Sequence, residues 1–205
     1  MNSASKKAIL VVSFGTSYEN TRKLTIEAIE HDIADAFPAC PTYRAWTSKM
    51  IIAKLKKRDG LTIHTVKEAL EQMLLDGITD VIVQPTHVIN GIENDQMKAD
   101  ALSFRDRFSS IVFGNPLLTT EEDNQAIVRV VADEFRDMDP DTALVLMGHG
   151  TEHYANTVYA ALDYRFKDTG HKNIFLGTVE AYPALDSLLR AADSFIRKRS
   201  CWRLS

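Results

Sequence analysis

A histidine set between two glycines, Gly148-His149-Gly150, follows directly on the apolar run Ala143-Leu144-Val145-Leu146-Met147. About one strand–helix unit later a second apolar run, Ile174-Phe175-Leu176-Gly177-Thr178-Val179, leads into Glu180. In a parallel sheet both strand ends lie on the carboxyl edge, where α/β proteins build their sites. An imidazole and a carboxylate side by side there suit a borderline divalent metal. The flanking glycines remove side chains and let a ligand approach the backbone closely. Two plainer readings fit the same residues. His149 could be a strand-end histidine bonded to its own loop, and Glu180 could cap a helix that begins after Pro183. Residues 149–153 also spell H-x-x-E-H, a zinc-hydrolase pattern that needs both histidines one helical turn apart. Here Gly150 follows a strand and the next helix is expected only after His153, which speaks against the hydrolase while leaving His153 near the pocket.

Two further segments carry candidate chemistry. Gln84-Pro85-Thr86-His87-Val88-Ile89-Asn90-Gly91-Ile92-Glu93 follows a third strand and brings His87 and Glu93 to the carboxyl edge of the first half; a turn built on Asn90-Gly91 is the plain alternative. Ser13-Phe14-Gly15-Thr16-Ser17-Tyr18 ends the first strand and precedes a helix. The backbone N–H groups of Ser13, Gly15, Thr16 and Ser17 could hold a phosphate or carboxylate there. The loop matches neither the P-loop nor the dinucleotide fingerprint. Arg44, Lys49, Lys54, Lys56, Lys57 and Arg58 form a basic cluster. Such a run reads as a solvated helix face or, if it lines a cleft, as an attraction for a polyanion.

The elements that must position these residues alternate strictly. Strands are expected at Ala8–Ser13, Thr42–Trp46, Asp80–Gln84, Ile111–Gly114, Ala143–Met147 and Ile174–Val179. Helical spacing runs from Asn20 to Phe37, Ser48 to Arg58, Thr65 to Asp76, Asn94 to Phe108, Thr120 to Met138, Tyr154 to Lys167 and onward from Ala184. Thr65 with Glu68, and Thr120 with Asp123, have capping-box spacing. Strict β-α alternation implies parallel sheets with right-handed crossovers, an α/β fold of two doubly wound lobes. The polar stretch Arg136 to Asp141 divides them, giving an N-terminal lobe at 1–138 and a C-terminal lobe at 139–205. The second lobe has only two strands, and a two-stranded parallel sheet is a poor core by itself. Its open strand edge invites association, so a homo-oligomer is a possible state.

Composition narrows the class. The chain has 205 residues, 24 Lys+Arg against 28 Asp+Glu and a formal net charge of −4, which points away from nucleic acid. No apolar stretch approaches the roughly 20 residues that span a bilayer. Cys40 and Cys201 fit no metal spacing and suggest a reducing compartment, so a cytoplasmic protein is expected.

Five segments together resemble one family. VVSFGTSY at 11–18, SKMIIAKLKKRDG at 48–60, QPTHVINGIE at 84–93, LMGHG at 146–150 and TVEAYP at 178–183 are similar to the anaerobic cobalt chelatases of the CbiK type. The resemblance runs in order from about residue 6 to about residue 192. It implies the class II chelatase fold, two similar lobes across a tetrapyrrole cleft, and insertion of Co²⁺ into sirohydrochlorin during cobalamin synthesis. Fe²⁺ and Ni²⁺ suit the same ligands. It implies no ATP or other cofactor beyond the substrate metal. The family's metal-binding histidine and glutamate fall on His149 and Glu180, which would also be the catalytic pair, with Ser13, Gly15, Thr16, Ser17, His87 and Glu93 toward the macrocycle. A further histidine ligand of the family lies beyond the last residue here, and Arg197 to Ser205 departs from the pattern. On this reading the chain is C-terminally truncated. The alternative function is a remnant that binds tetrapyrrole or metal without turnover.

Overall fold

The computed structural model describes residues 6–202. The departing stretch from Arg197 to Ser205, including Cys201, lies outside the described side chains. The chain forms two compact units that divide between Leu117 and Leu118. The sequence closes the four-stranded unit near residue 118 and puts the lobe boundary after the polar stretch, at 138/139. The difference is one helix, Glu121–Glu134, which packs on a helix of the second unit and is tied to it by the Arg165–Glu121 ion pair at 2.6 Å.

In the first unit strands β1 (Lys7–Ser13), β2 (Thr42–Trp46), β3 (Asp80–Pro85) and β4 (Ser110–Phe113) form a parallel sheet in the order β2-β1-β3-β4. β1 is central. Ala8 to Ser13 are all buried, as a continuous apolar strand covered on both faces must be. One face packs Leu10, Val12, Val81 and Val83 against Leu70 and Met73 of one helix and Met97 of another. On the other, Trp46 packs with Ile26, Leu55 and Ile63.

The connecting segments follow the sequence pattern. The first is a composite: α1 (Glu19–Arg22), a π-helical stretch at Lys23–Glu27, then α2 (Ala28–Ala36). α3 (Lys49–Asp59) starts at the Ser48 cap, and α4 (Val66–Leu75) at the reciprocal Thr65–Glu68 capping box. α5 (Ile92–Leu102) is shorter than expected, its pattern finishing in a 3₁₀ turn at Arg105–Arg107. The connection after β1 leads outward to β2, while the one after β3 leads the other way to β4. Their divergence makes the carboxyl ends of β1 and β3 a topological switch point, the usual crevice of an open α/β sheet.

In the second unit α6 (Glu121–Glu134) begins at a Thr120–Asp123 capping box. β5 (Leu144–Gly148) and β6 (Ile174–Thr178) pair in parallel, with α7 (Thr157–Asp168) between them in sequence and α8 (Leu185–Trp202) after β6. All five residues of β6 are buried, and α7 and α8 both pack on it. β5 alternates: Val145 and Met147 are exposed on one face. Among the described residues β5 pairs on one edge only.

Candidate metal and substrate sites

The β5–β6 register sets the first site. Leu144 pairs with Ile174 and Gly148 with Thr178, so the residues just past the strand ends must be neighbours. The ladder runs two bonds beyond the strands: Val179 N–H donates to the Gly148 carbonyl at 3.1 Å and Glu180 N–H to the His149 carbonyl at 3.0 Å. The side chains follow the backbone. His149 Nδ1 stands 3.5 Å from Glu180 Oε2 and 3.2 Å from the Gly150 carbonyl. Both side chains are open to solvent, at 78% and 64% exposure, so an incoming ion can reach both. With metal–ligand bonds of about 2.1 Å, donors at this separation subtend about 110° at a shared ion, close to a tetrahedral angle. Among the described residues no cluster of three or more His, Cys, Asp or Glu side chains is arranged to hold a metal.

The two glycines beside His149 serve the protein's own packing. A Cβ at Gly148 would lie 2.6 Å from the ring of Tyr159. Gly150 adopts φ +84°, and a Cβ there would lie 2.9 Å from both the Ala181 nitrogen and Thr178 Cβ. The space read from sequence as ligand room is thus filled by α7 and by the chain after β6. His153 is not on a helix with His149. It caps the 3₁₀ turn Tyr154–Asn156, its Nδ1 accepting from Ala155 N–H at 3.2 Å. The zinc-hydrolase arrangement of H-x-x-E-H is absent for that reason.

The remaining candidates gather at the switch point of the first unit. Ser13 is buried, and its hydroxyl bonds that of Thr86 at 2.9 Å, joining the ends of β1 and β3. Gly15 lies against the Trp46 ring, where a Cβ would come within 2.5 Å. Thr16 Oγ1 accepts from Tyr18 N–H, and the buried Ser17 offers its carbonyl to Arg58 at 2.8 Å. His87 follows β3 with both ring nitrogens buried and without a hydrogen-bond partner. Burial pushes its pKa below the usual histidine range, with the Glu93 carboxylate acting weakly in the other direction. His87 is therefore neutral at pH 7. Glu93 is exposed in the first turn of α5. The basic cluster divides. Arg44 is held in an ion pair by Glu30, Arg58 pairs with Asp59, and Lys49, Lys54, Lys56 and Lys57 are exposed on α3.

Residues 7–198 match the family described as cobalt chelatase (CbiK). The chain belongs to the cobalt chelatase family. It is similar to the sirohydrochlorin cobaltochelatase of Salmonella typhimurium LT2, with 38% identity over 184 residues, covering 90% of this chain and 69% of that protein. It is similar also to the sirohydrochlorin cobaltochelatase CbiKC of Nitratidesulfovibrio vulgaris Hildenborough, with 31% identity over 191 residues, covering 90% of this chain and 65% of that one. The chain thus spans about two thirds of the length of these relatives. The match to the cobalt chelatase family takes in both units and every candidate residue named above.

Sequence reasoning missed two polar residues bonded to the backbone beside His149 and Glu180 in this cobalt chelatase family member. Thr178 is fully buried, and its hydroxyl donates to the Ala181 carbonyl at 2.6 Å and accepts from Ala181 N–H at 3.2 Å. Asn156 accepts from Thr151 N–H at 3.1 Å and donates to the Tyr182 carbonyl at 2.6 Å. Thr178, two residues before Glu180, carried a local signal, since Thr in loops commonly bonds nearby backbone; Asn156, seven residues from His149, carried none.

Proposed function

We propose that this chain is a sirohydrochlorin cobaltochelatase, inserting Co²⁺ into sirohydrochlorin in cobalamin synthesis, and that it works in the cytoplasm. The 3.5 Å approach of His149 Nδ1 to Glu180 Oε2 at the carboxyl edge of β5 and β6 carries the proposal. Family membership and the relatives' activity support it. No helix among the described residues is long and apolar enough to cross a membrane.

Neutral imidazole is a good ligand for Co²⁺, and the carboxylate offsets one unit of its charge. The remaining coordination positions are open to water, which ring nitrogens can displace stepwise. Insertion exchanges one dipositive ion for two pyrrole N–H protons. As the ion leaves, the freed lone pair of His149 and the Glu180 carboxylate can each take one proton. Net charge is then the same on the site and on the macrocycle before and after the exchange. The reaction needs no cofactor beyond the metal. Fe²⁺ and Ni²⁺ would fit the same two ligands. The switch point of the first unit, with Ser13, Gly15, Thr16, Ser17, His87 and Glu93, is assigned to the rim of the tetrapyrrole.

The test is Co²⁺ insertion into sirohydrochlorin, followed by the absorbance change against a protein-free control. The chain should raise the rate and His149→Ala should abolish the increase. A folded wild-type chain with no rate above background, or an unchanged rate in His149→Ala, would overturn the proposal.

A further inference from the structure

The His149–Glu180 pair is carried by two loops, one after β5 and one after β6, and a single side chain reaches both. Asn156 lies seven residues beyond His149, at the junction of the 3₁₀ turn Tyr154–Asn156 and α7. Its Oδ1 accepts from Thr151 N–H, two residues from His149, at 3.1 Å. Its Nδ2 donates to the Tyr182 carbonyl, two residues from Glu180, at 2.6 Å. The partners fix the amide's orientation, because an oxygen must face the N–H and a nitrogen the carbonyl. Asn156 itself is anchored, its backbone N–H bonded to the His153 carbonyl at 2.9 Å.

We propose that Asn156 is the positioning residue that keeps His149 and Glu180 within reach of one shared divalent ion. The proposal rests on the reading of that pair as the metal-delivering site. Few side chains meet the requirement, which is to accept from one loop and donate to the other at the same time. Aspartate would keep the bond to Thr151 and turn the second contact into a repulsion between oxygens. Groups that orient metal ligands typically change affinity by about 10–100-fold when removed.

Two measurements test this, on wild type, Asn156→Ala, Asn156→Asp and a control, Asp163→Asn. Asp163 accepts from Leu176 N–H at 2.8 Å and pairs with Lys167, so its loss weakens the same unit away from the metal ligands. The first measurement is amide exchange. Asn156 does not touch the Glu180 N–H, whose partner is the His149 carbonyl. In both Asn156 variants that amide should exchange about tenfold faster or more, since both lose the bond to the Tyr182 carbonyl and one ordinary hydrogen bond is worth about that. The Thr151 amide should speed up only in Asn156→Ala. The second measurement is Co²⁺ titration, with His149→Ala as reference. Both Asn156 variants should bind Co²⁺ about tenfold more weakly, while Asp163→Asn binds as wild type does. Unchanged Glu180 exchange in Asn156→Ala would overturn the proposal, and so would equal effects in Asp163→Asn. If wild type binds Co²⁺ no better than His149→Ala, the metal reading fails, and the exchange data still decide whether Asn156 holds the loops together.

Discussion

Replacing Gly150 by alanine should separate the two demands made on that position. Gly150 sits at φ +84°, where an L-residue with a side chain costs about 1–2 kcal/mol. The added methyl would also meet the Ala181 nitrogen and Thr178 Cβ at 2.9 Å and Thr178 Oγ1 at 3.0 Å. None of these can swing away, since one is backbone and Thr178 is fully buried. Overpacking of that kind costs about 1–3 kcal/mol more. The total is about 2–5 kcal/mol of unfolding free energy. Gly170 supplies the control, with φ +97° and nothing within 4 Å of its Cβ position, so Gly170→Ala should cost only the conformational part. Urea titration of both variants, read by circular dichroism, measures the difference. The geometry also fixes the functional outcome. Ordinary contact begins at 3.4 Å, so the segment after β6 must retreat by 3.4 − 2.9, or 0.5 Å. If Glu180 moves with it, the donor separation opens from 3.5 to about 4 Å, and the angle at a shared ion widens to about 145° for bonds of about 2.1 Å. Co²⁺ affinity should fall by about tenfold. Equal destabilisation by Gly150→Ala and Gly170→Ala would refute the packing argument.

Other variants probe the remaining parts. Glu180→Gln keeps an oxygen donor but removes the charge, so Co²⁺ should bind about tenfold or more weakly by titration with little change in the urea midpoint; unchanged affinity would remove Glu180 from the site. His87 has its pKa lowered by burial, so the unfolded chain takes up its proton first and stability is lost as pH falls below about 6.5. The slope is at most about 1.4 kcal/mol per pH unit, and His87→Leu should remove it; parallel curves of urea midpoint against pH for the two proteins would contradict this. At pH 7.5 His87→Leu should be no less stable than wild type, because it replaces two unpartnered buried nitrogens with carbon. Thr178→Val keeps the shape but strands both polar groups of Ala181, and should cost about 1–3 kcal/mol in the same titration.

Much of this was legible in the sequence because the signals were local. The run Ala8–Ser13 could only be a strand covered on both faces, and both capping boxes are set by residues three apart. His149 and Glu180 were brought to one sheet edge by strand alternation, and the direct pairing of β5 with β6 makes them neighbours. Long-range choices were less legible. Nothing within residues 121–134 says which unit the helix joins; that depends on the partner it finds in α7 and Arg165. The purpose of Gly148 and Gly150 was misread because a missing side chain looks the same whether a ligand or a tyrosine fills the space. The bridging amide of Asn156 was invisible for a similar reason: its two partners are backbone groups, which carry no sequence signature.

The two sheets differ in how firmly they hold their edges. β1 is hydrogen-bonded on both sides and buried from Ala8 to Ser13, so the strand end that carries the loop Ser13 to Ser17 belongs to the firmest part of its unit. Among the described residues β5, which bears His149, is bonded to β6 alone and has one face exposed. A strand zipped on one side opens at lower free energy than a central one. Heat or mild denaturant should therefore loosen the imidazole's grip on an ion while the first unit still reports as native. On the proposed reading of His149, loss of Co²⁺ binding and loss of the first unit's secondary structure become two events with separate midpoints.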